Sequence, residues 1–471
     1  MLFNSLEYLI FFFVILIFSW SSRGVPKIRI FTLLLANYYF YASNNYWLIF
    51  IFLFSTQIDY WCAILIEKTI SNSKRKIYLT ISVILNLLIL GFFKYFNFFA
   101  SSLVELANII GYTPTWIDLN IVLPIGISFY TFQSLSYSID VYRGDIKAVK
   151  TWVNYSFYNS FFPQLIAGPI IRPKDFLPQV ESTPKLSKKD LDIGLTHVFR
   201  GLLKKIVLSD LLTEYADLAF NSSSEISSFL IVLGFYAFTF QIYFDFSGYS
   251  DIAIGSARLL GYKVPINFNR PYSSTSVTEF WKRWHISLSL WLRDYLYIPL
   301  GGNRVKRTYK TYRNLMITML LGGLWHGASW HFIIWGAFQG IALSIEKLLG
   351  IKKNKTRVFF NIKNFLKILL IFHFTVFSWI IFRADSISLI LEVFQNLFNN
   401  SSVTFLNNKT VIVILLIVFG FSNQLFDEKY NFAQKFLNRS PTFKIFFFAF
   451  VFFLCIIFNT EEVKPFIYFQ F

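Results

Sequence analysis

The chain has 471 residues, 55% of them apolar and 59 of them Phe, with a mean hydropathy of +0.51. That excludes an ordinary soluble domain, in which apolar residues make up about 45–50% even with glycine counted. The net charge of +18 does not point to nucleic acid, because Lys and Arg sit in short runs between apolar segments, as in the inner loops of a membrane protein touching anionic lipid.

In chain order, Leu2–Trp20 comes first. It has no basic leader and no small-residue cleavage site, so it reads as an anchor helix and not as a cleaved signal. Basic clusters follow at Arg23/Lys27/Arg29, Lys68/Lys74/Arg75/Lys76 and Arg143/Lys147/Lys150, then at Lys185–Lys189, Arg304–Arg313 and Lys352–Arg357. The first three fall on alternate loops, which places the amino terminus outside. Apolar runs such as Ile77–Phe99, Phe229–Phe246, Phe365–Phe382 and Phe443–Phe458 recur throughout. With broken or re-entrant pieces included, they imply about 11 to 13 membrane segments across roughly 30 Å of hydrocarbon. The expected fold is an all-α polytopic membrane protein, a single transmembrane domain over 1–471. Within it, 1–120 is scaffold, 120–345 the catalytic core and 358–471 a set of carboxy-terminal helices interrupted by the Asn-rich stretch 399–409. Cys62 and Cys455 are far apart in apolar runs and suggest neither a disulfide nor a metal site. No internal repeat of the transporter kind is visible.

From about 120 to 345 the texture changes: Pro, Gly, Trp and charges interrupt the apolar sequence, as in FFPQLIAGPIIRPKDF (161–176) and YFDFSGYSD (243–251). Broken backbone at membrane depth is tolerated where it is buried in protein or lines a cavity, so the functional chamber belongs in this region. Three of the five histidines lie there too, and an ionisable residue in apolar sequence is a functional candidate.

His326 is bracketed by Gly322, Gly323 and Gly327 and by Trp325 and Trp330. It suits a general base toward a hydroxyl, and equally a packing histidine bonded to a neighbouring carbonyl. His285 lies among Trp281, Trp284, Trp291, Lys282, Arg283 and Arg293. That flank reads first as a membrane-interface helix and second as the mouth for an anionic, phosphate-bearing donor held by Arg283 and Arg293. His331, about 140° round a helix from His326, is a packing residue; His197 and His373 have no supporting context. Asp245 and Asp251 suit an ion pair with Arg270 or Arg293, or an acidic residue orienting an imidazole. No ligand spacing supports a metal. No P-loop or dinucleotide fingerprint is present, and no bound cofactor is expected.

Six ordered blocks carry a resemblance: PIGISFYTFQSLSYSIDVYRG (124–144), FFPQLIAGPIIRP (161–173), YFDFSGYSDIAIG (243–255), NFNRPY (267–272), WKRWHISLSLWLRDYLYIPLGG (281–302) and GLWHGASWHFIIWG (323–336), extended by FSWIIFRADS (377–386). Together they resemble the membrane-bound O-acyltransferases, and among these the bacterial alginate O-acetylase and peptidoglycan O-acetyltransferase branch. The resemblance implies a ring of tilted helices around a central tunnel in the bacterial inner membrane. It implies His326 and His285 as the catalytic pair. For such a pair Trp325 would exclude water, Arg283 and Arg293 would hold the anionic donor, and Asp245 and Tyr249 would stand behind the histidines. It further implies acetyl-CoA as the donor, an extracytoplasmic polysaccharide as the acceptor, and a separate partner with an SGNH-hydrolase-like domain. The competing readings are D-alanyl transfer to teichoic acid and a non-enzymatic polysaccharide transporter.

Overall fold

The computed structural model describes residues 1–43, 45–115, 119–165, 168–220, 226–305, 307–351, 361–399, 407–430, 432–458, 464, 466 and 467. The basic run Lys352–Arg357 and most of the stretch 399–409 lie outside them. Among the described residues the chain is helical, with no strand. It divides into two compact units: residues 1–194 with 253–265, and residues 195–252 with 266–471. These borders fall elsewhere than the 120 and 345 suggested by the sequence texture.

The first unit contains α1 (Leu6–Ser21), α2 (Pro26–Ala42), α3 (Leu48–Lys68), α4 (Asn72–Leu90), α5 (Phe96–Ile109), α6 (Ile127–Arg143), α7 (Trp152–Ser160), α8 (Phe162–Leu165), α9 (Pro173–Glu181) and the start of α10 (Lys188–Leu202). A π-helical turn at Gly91–Tyr95 joins α4 to α5, giving 38 continuous residues. At about 1.5 Å per residue this rod exceeds the hydrocarbon thickness of a bilayer. Its polar contacts are internal. Asp59 accepts from Ser82 Oγ (2.6 Å) and Asn86 Nδ2 (2.8 Å), and Ser82 reaches Ser138 (2.8 Å), tying α3, α4 and α6 together. Arg29, counted above with the loop cations, is 1% exposed. Its guanidinium donates to the Leu260 carbonyl (2.6 Å), Tyr262 Oη (3.0 Å) and the Ser19 hydroxyl (3.0 Å), so it acts as a buried clamp. Ahead of α10 the Ser187 hydroxyl donates to Asp190 (2.6 Å) and holds that carboxyl below its usual range.

The second unit takes the rest of α10, then α11 (Asp210–Phe220), most of α12 (Ser228–Leu259), α13 (Val277–Trp281), α14 (Ile286–Leu292), α15 (Thr308–His326), α16 (Trp330–Leu348), α17 (Ile362–Arg383), α18 (Ile387–Asn399), α19 (Asn408–Tyr430), α20 (Phe432–Leu437) and α21 (Pro441–Phe458). Between α12 and α15 the chain breaks into short pieces, with positive φ at Arg270 (50°) and His285 (42°) and a π-helical turn at Arg293–Tyr297. This is the irregular backbone expected of the middle region.

Among the described residues six helices are long and apolar enough to cross a membrane: Leu48–Lys68, Asn72–Ile109, Ser228–Leu259, Ile362–Arg383, Asn408–Asp427 and Pro441–Phe458. The sequence count of about 11 to 13 segments included shorter or punctuated pieces, such as α1 and the α15–α16 hairpin, that do not meet that standard alone. The chain is a multi-pass α-helical membrane protein.

Candidate active site

The site is built in the second unit from three pieces. The first is the α15–α16 hairpin. Gly323 and Gly336 let the two helices meet at backbone distance: a Cβ on Gly323 would strike the Phe332 carbonyl, and one on Gly336 the Met319 carbonyl. Helix α15 ends at His326. Gly327 follows with an extended backbone, and the Phe332 ring fills the space a Cβ there would need. Helix α16 starts afresh at Trp330, so His326 and His331 do not share a helix and the angular reasoning from sequence lapses. His331 Nδ1 instead bonds Ser329 Oγ at 2.8 Å, in the turn between the helices.

The second piece is an aromatic cage around His326, which is 6% exposed. Its ring stands edge-on to Trp335 (5.2 Å) and Phe382 (5.3 Å) and lies 5.0 Å from Trp325. Hydrogen bonds set this cage. Trp335 Nε1 and Gln339 Nε2 both donate to Ser378 Oγ (2.8 and 2.6 Å), and Trp281 Nε1 donates to Gln339 (3.1 Å). Trp379 stacks on Trp335 and donates to Tyr272 Oη (3.2 Å). Indoles with satisfied N–H groups make a rigid apolar wall.

The third piece carries His285. Two short backbone pairings, Ile286 N–H to the Asn267 carbonyl and Asn269 N–H to the Arg283 carbonyl (both 2.9 Å), hold 267–269 against 283–286. The Asn267 side chain accepts from the Ser287 amide and hydroxyl. Pinned in this way, His285 adopts its left-handed backbone and is fully buried. Its ring meets Phe246 at 4.7 Å and Trp325 at 5.8 Å. Neither ring nitrogen has a hydrogen-bond partner among the described residues. Trp325 thus lies against both histidines.

The flank of His285 is not an interface helix. Trp284 and Arg283 are buried, and Arg283 is engaged inward, with Glu279 (3.0 Å), Ser273 Oγ (2.8 Å) and the Arg270 carbonyl (3.2 Å). It does not line the neighbouring cavity. That cavity, of 550 Å³, is bounded by Trp281, Lys282, Ile286, Ser289, Arg293, Tyr297, Met319 and Lys347. Arg293 is half exposed there and held by Asp294 (2.6 Å). The cavity touches Ile286 and Ser289, just past His285, the middle of α15 at Leu315–Met319 and the Lys347 end of α16.

The two aspartates find partners other than Arg270 and Arg293. Asp251 is surrounded by Arg200 (2.5 Å), Lys204 (2.8 Å) and His197 Nδ1 (3.0 Å). Asp245 pairs with Lys205 at 2.6 Å and accepts the Ile467 amide at 2.7 Å. Arg270 goes to Asp427. The cations come from α10 and its π-helical extension, although Arg270 lies nearer to both aspartates along the chain. Sequence reading left His197 unassigned, although His197, Arg200 and Lys204 follow the three-and-four spacing of one helical face. Tyr249 is buried against Phe466 (4.7 Å), a contact with no sequence signal. Among the described residues no cluster of His, Cys, Asp or Glu could hold a metal, and both cysteines are buried and free.

Residues 151–384 match the membrane-bound O-acyltransferase family. The Pseudomonas aeruginosa protein named "Probable alginate O-acetylase AlgI" is 40% identical over 94% of this chain and 84% of its own length. A Helicobacter pylori peptidoglycan O-acetyltransferase is 34% identical over 88% of this chain and 80% of its own. A Streptococcus thermophilus teichoic acid D-alanyltransferase is also 34% identical, but over 49% of this chain and 58% of its own. With the histidine-bearing blocks folded into one buried site, the chain belongs to the membrane-bound O-acyltransferases.

Proposed function

We propose that this chain is a membrane O-acetyltransferase that moves an acetyl group from a cytoplasmic thioester, acetyl-CoA, toward hydroxyls of an extracytoplasmic polysaccharide. The observation that carries the reading is the placement of His285 and His326 on either side of Trp325, both shut away from solvent. Neither nitrogen of the buried His285 ring meets a hydrogen-bond partner among the described residues, and such a group is costly to keep, which favours a role toward a group brought from outside the chain. The alginate and peptidoglycan relatives, matched over 94% and 88% of this chain, are named for O-acetylation, while two teichoic acid D-alanyltransferases match over 49% and 56% of it.

In the reaction, His326 takes the proton of the acceptor hydroxyl as its oxygen attacks the thioester carbonyl. The C–O bond forms, the C–S bond breaks, and the imidazolium returns the proton to the departing thiolate. The Trp325, Trp335 and Phe382 rings keep water from competing for the acyl group. His285 supports the acyl path. The 550 Å³ cavity lies between the middle of α15 and the Lys347 end of α16, and Lys282, Arg293 and Lys347, which outnumber Glu279 and Glu346 in its lining, offer positive charge to a phosphate-bearing donor. With basic loops inside, the amino terminus is outside, the membrane is the bacterial inner membrane, and a partner with an SGNH-hydrolase-like domain completes transfer to the polymer.

The test is ester-linked acetate released by mild base from fractionated envelope polymers of wild type, a deletion strain, and the deletion carrying His326→Ala. One polymer should lose acetate in the deletion and stay unacetylated with the variant at normal membrane abundance. Loss of ester-linked D-alanine with unchanged acetate would move the assignment to D-alanyl transfer. No change in either would overturn acyl transfer.

A further inference from the structure

Past the end of α21 at Phe458 the chain returns to the histidine site. Lys464, Phe466 and Ile467 are described there, and Phe466 and Ile467 are buried as deeply as the core. The Ile467 amide donates to Asp245 Oδ2 at 2.7 Å while Lys205 Nζ holds Oδ1 at 2.6 Å. The Phe466 ring lies 4.7 Å from Tyr249 and 5.2 Å from Phe246. Asp245 and Phe246 are adjacent on α12, and Phe246 stands edge-on to His285. A single ring therefore separates Phe466 from His285.

Working histidines are usually oriented by a hydrogen bond on the second ring nitrogen. His285 has no such bond among the described residues, so its orientation depends on packing, with the rings of Phe246 and Trp325 against it. Phe246 is in turn backed by Phe466. The same returning segment forms one wall of a second cavity, of 330 Å³, lined by Lys205, Asp210, Asp245, Arg383, Lys464 and Ile467. This cavity is charged where the donor-side cavity is largely apolar, and Arg383 places it at the end of α17 whose Phe382 packs on His326.

We infer that Phe466 and Ile467 are positioning residues of the transfer site: the Phe466 ring and the Ile467 amide hold Phe246 and Asp245 of α12 in place beside His285, and Ile467 walls the charged cavity. The inference rests on the proposed function only in taking His285 to serve acyl transfer. Phe466 and Ile467 touch no reacting atom in this scheme; they act through Phe246.

The test uses the full chain in membrane vesicles, with acetyl-CoA varied and acetate on the co-isolated polymer measured per folded molecule. Phe466→Ala and Ile467→Pro, the latter removing the amide hydrogen, should lower kcat about tenfold or more with KM for acetyl-CoA unchanged within about twofold. Phe466→Leu and Ile467→Ala, which keep an apolar side chain and the amide hydrogen respectively, should recover most of that loss. Wild-type kcat in both disruptive variants, with His326→Ala inactive, would overturn the positioning role. So would losses that merely track the amount of folded protein. An active His326→Ala would instead sink the proposed function, whatever the Phe466 and Ile467 variants do.

Discussion

Two buried polar groups in the second unit are treated in opposite ways. Asp251 is ringed by His197, Arg200 and Lys204, and each of its oxygens is engaged. His285, at similar depth, is met by aromatic rings, and no described residue hydrogen-bonds either of its nitrogens. A buried charge that is fully paired specifies how helices pack, and removing one partner leaves the others uncompensated. A buried polar group left unpaired costs stability and persists where function requires it. The contrast gives a test of scaffold against chemistry that burial alone does not, since both residues are buried.

The largest effect expected is loss of transfer at the histidines. His326→Ala should lower acetyl transfer about 10²- to 10⁴-fold, the usual worth of a positioned acid–base group, at normal abundance. His285→Leu breaks the comparison if it fails: activity should fall by about 10²-fold or more while the thermal midpoint of the purified protein holds or rises, because an unsatisfied polar ring is exchanged for an apolar side chain. A His285→Leu protein that melts well below wild type would show that the ring is structural.

Next comes the hairpin that brings the two histidines to one indole. Gly336→Leu places a branched side chain where the Met319 backbone already sits, so α15 and α16 must separate. Detergent-solubilised protein should lose its monodisperse peak, and activity should go with it. A well-folded Gly336→Leu enzyme would contradict the close helix approach.

Asp251→Asn tests the saturated side of the contrast. It leaves the part-buried Lys204 and the more exposed Arg200 without their counter-charge, and solvent at Arg200 keeps the cost below the roughly 3–5 kcal/mol of a fully buried pair. Abundance and thermal midpoint should drop, while kcat per folded molecule stays within a few-fold of wild type, the reverse of His285→Leu. If Asp251→Asn instead abolished turnover in a stable protein, the cluster would belong to the chemistry.

Composition was enough to read the all-helical membrane class and the broken backbone of the middle region, because each rests on local residue chemistry; pairing His285 with His326 drew on the resemblance carried by the ordered blocks, and the two do meet one indole. The partners of the buried charges were harder. Arg270 and Arg293 are nearer to α12 in the motif order, yet the pairs form with α10, whose cationic face was visible as His197, Arg200 and Lys204 but had no evident reason to meet Asp251. Arg283 looked like a donor contact from its aromatic neighbours, and turns inward because Glu279 sits one helical turn before it. The role of Phe466 and Ile467 could not be read at all: a Phe in a Phe-rich chain carries no signal, and contact with Asp245 spans more than two hundred residues.

The smallest effect belongs to the donor side, where the groups are neither orphaned nor saturated. Arg293 is half exposed on the 550 Å³ cavity, with Asp294 as its neighbour. A charge shared between water and a carboxylate contributes modestly to binding, about 1 kcal/mol or less. Arg293→Ala should therefore raise KM for acetyl-CoA by a few-fold and leave kcat near wild type, and the rise should shrink as salt is added. Because Arg283 is consumed by Glu279 and Ser273, Arg283→Ala should behave differently, lowering the amount of folded protein with KM unchanged. The pair of variants separates a residue that meets the donor from one that holds the loop beneath it. Equal KM shifts in both would mean that Arg283 also turns outward to the donor during turnover.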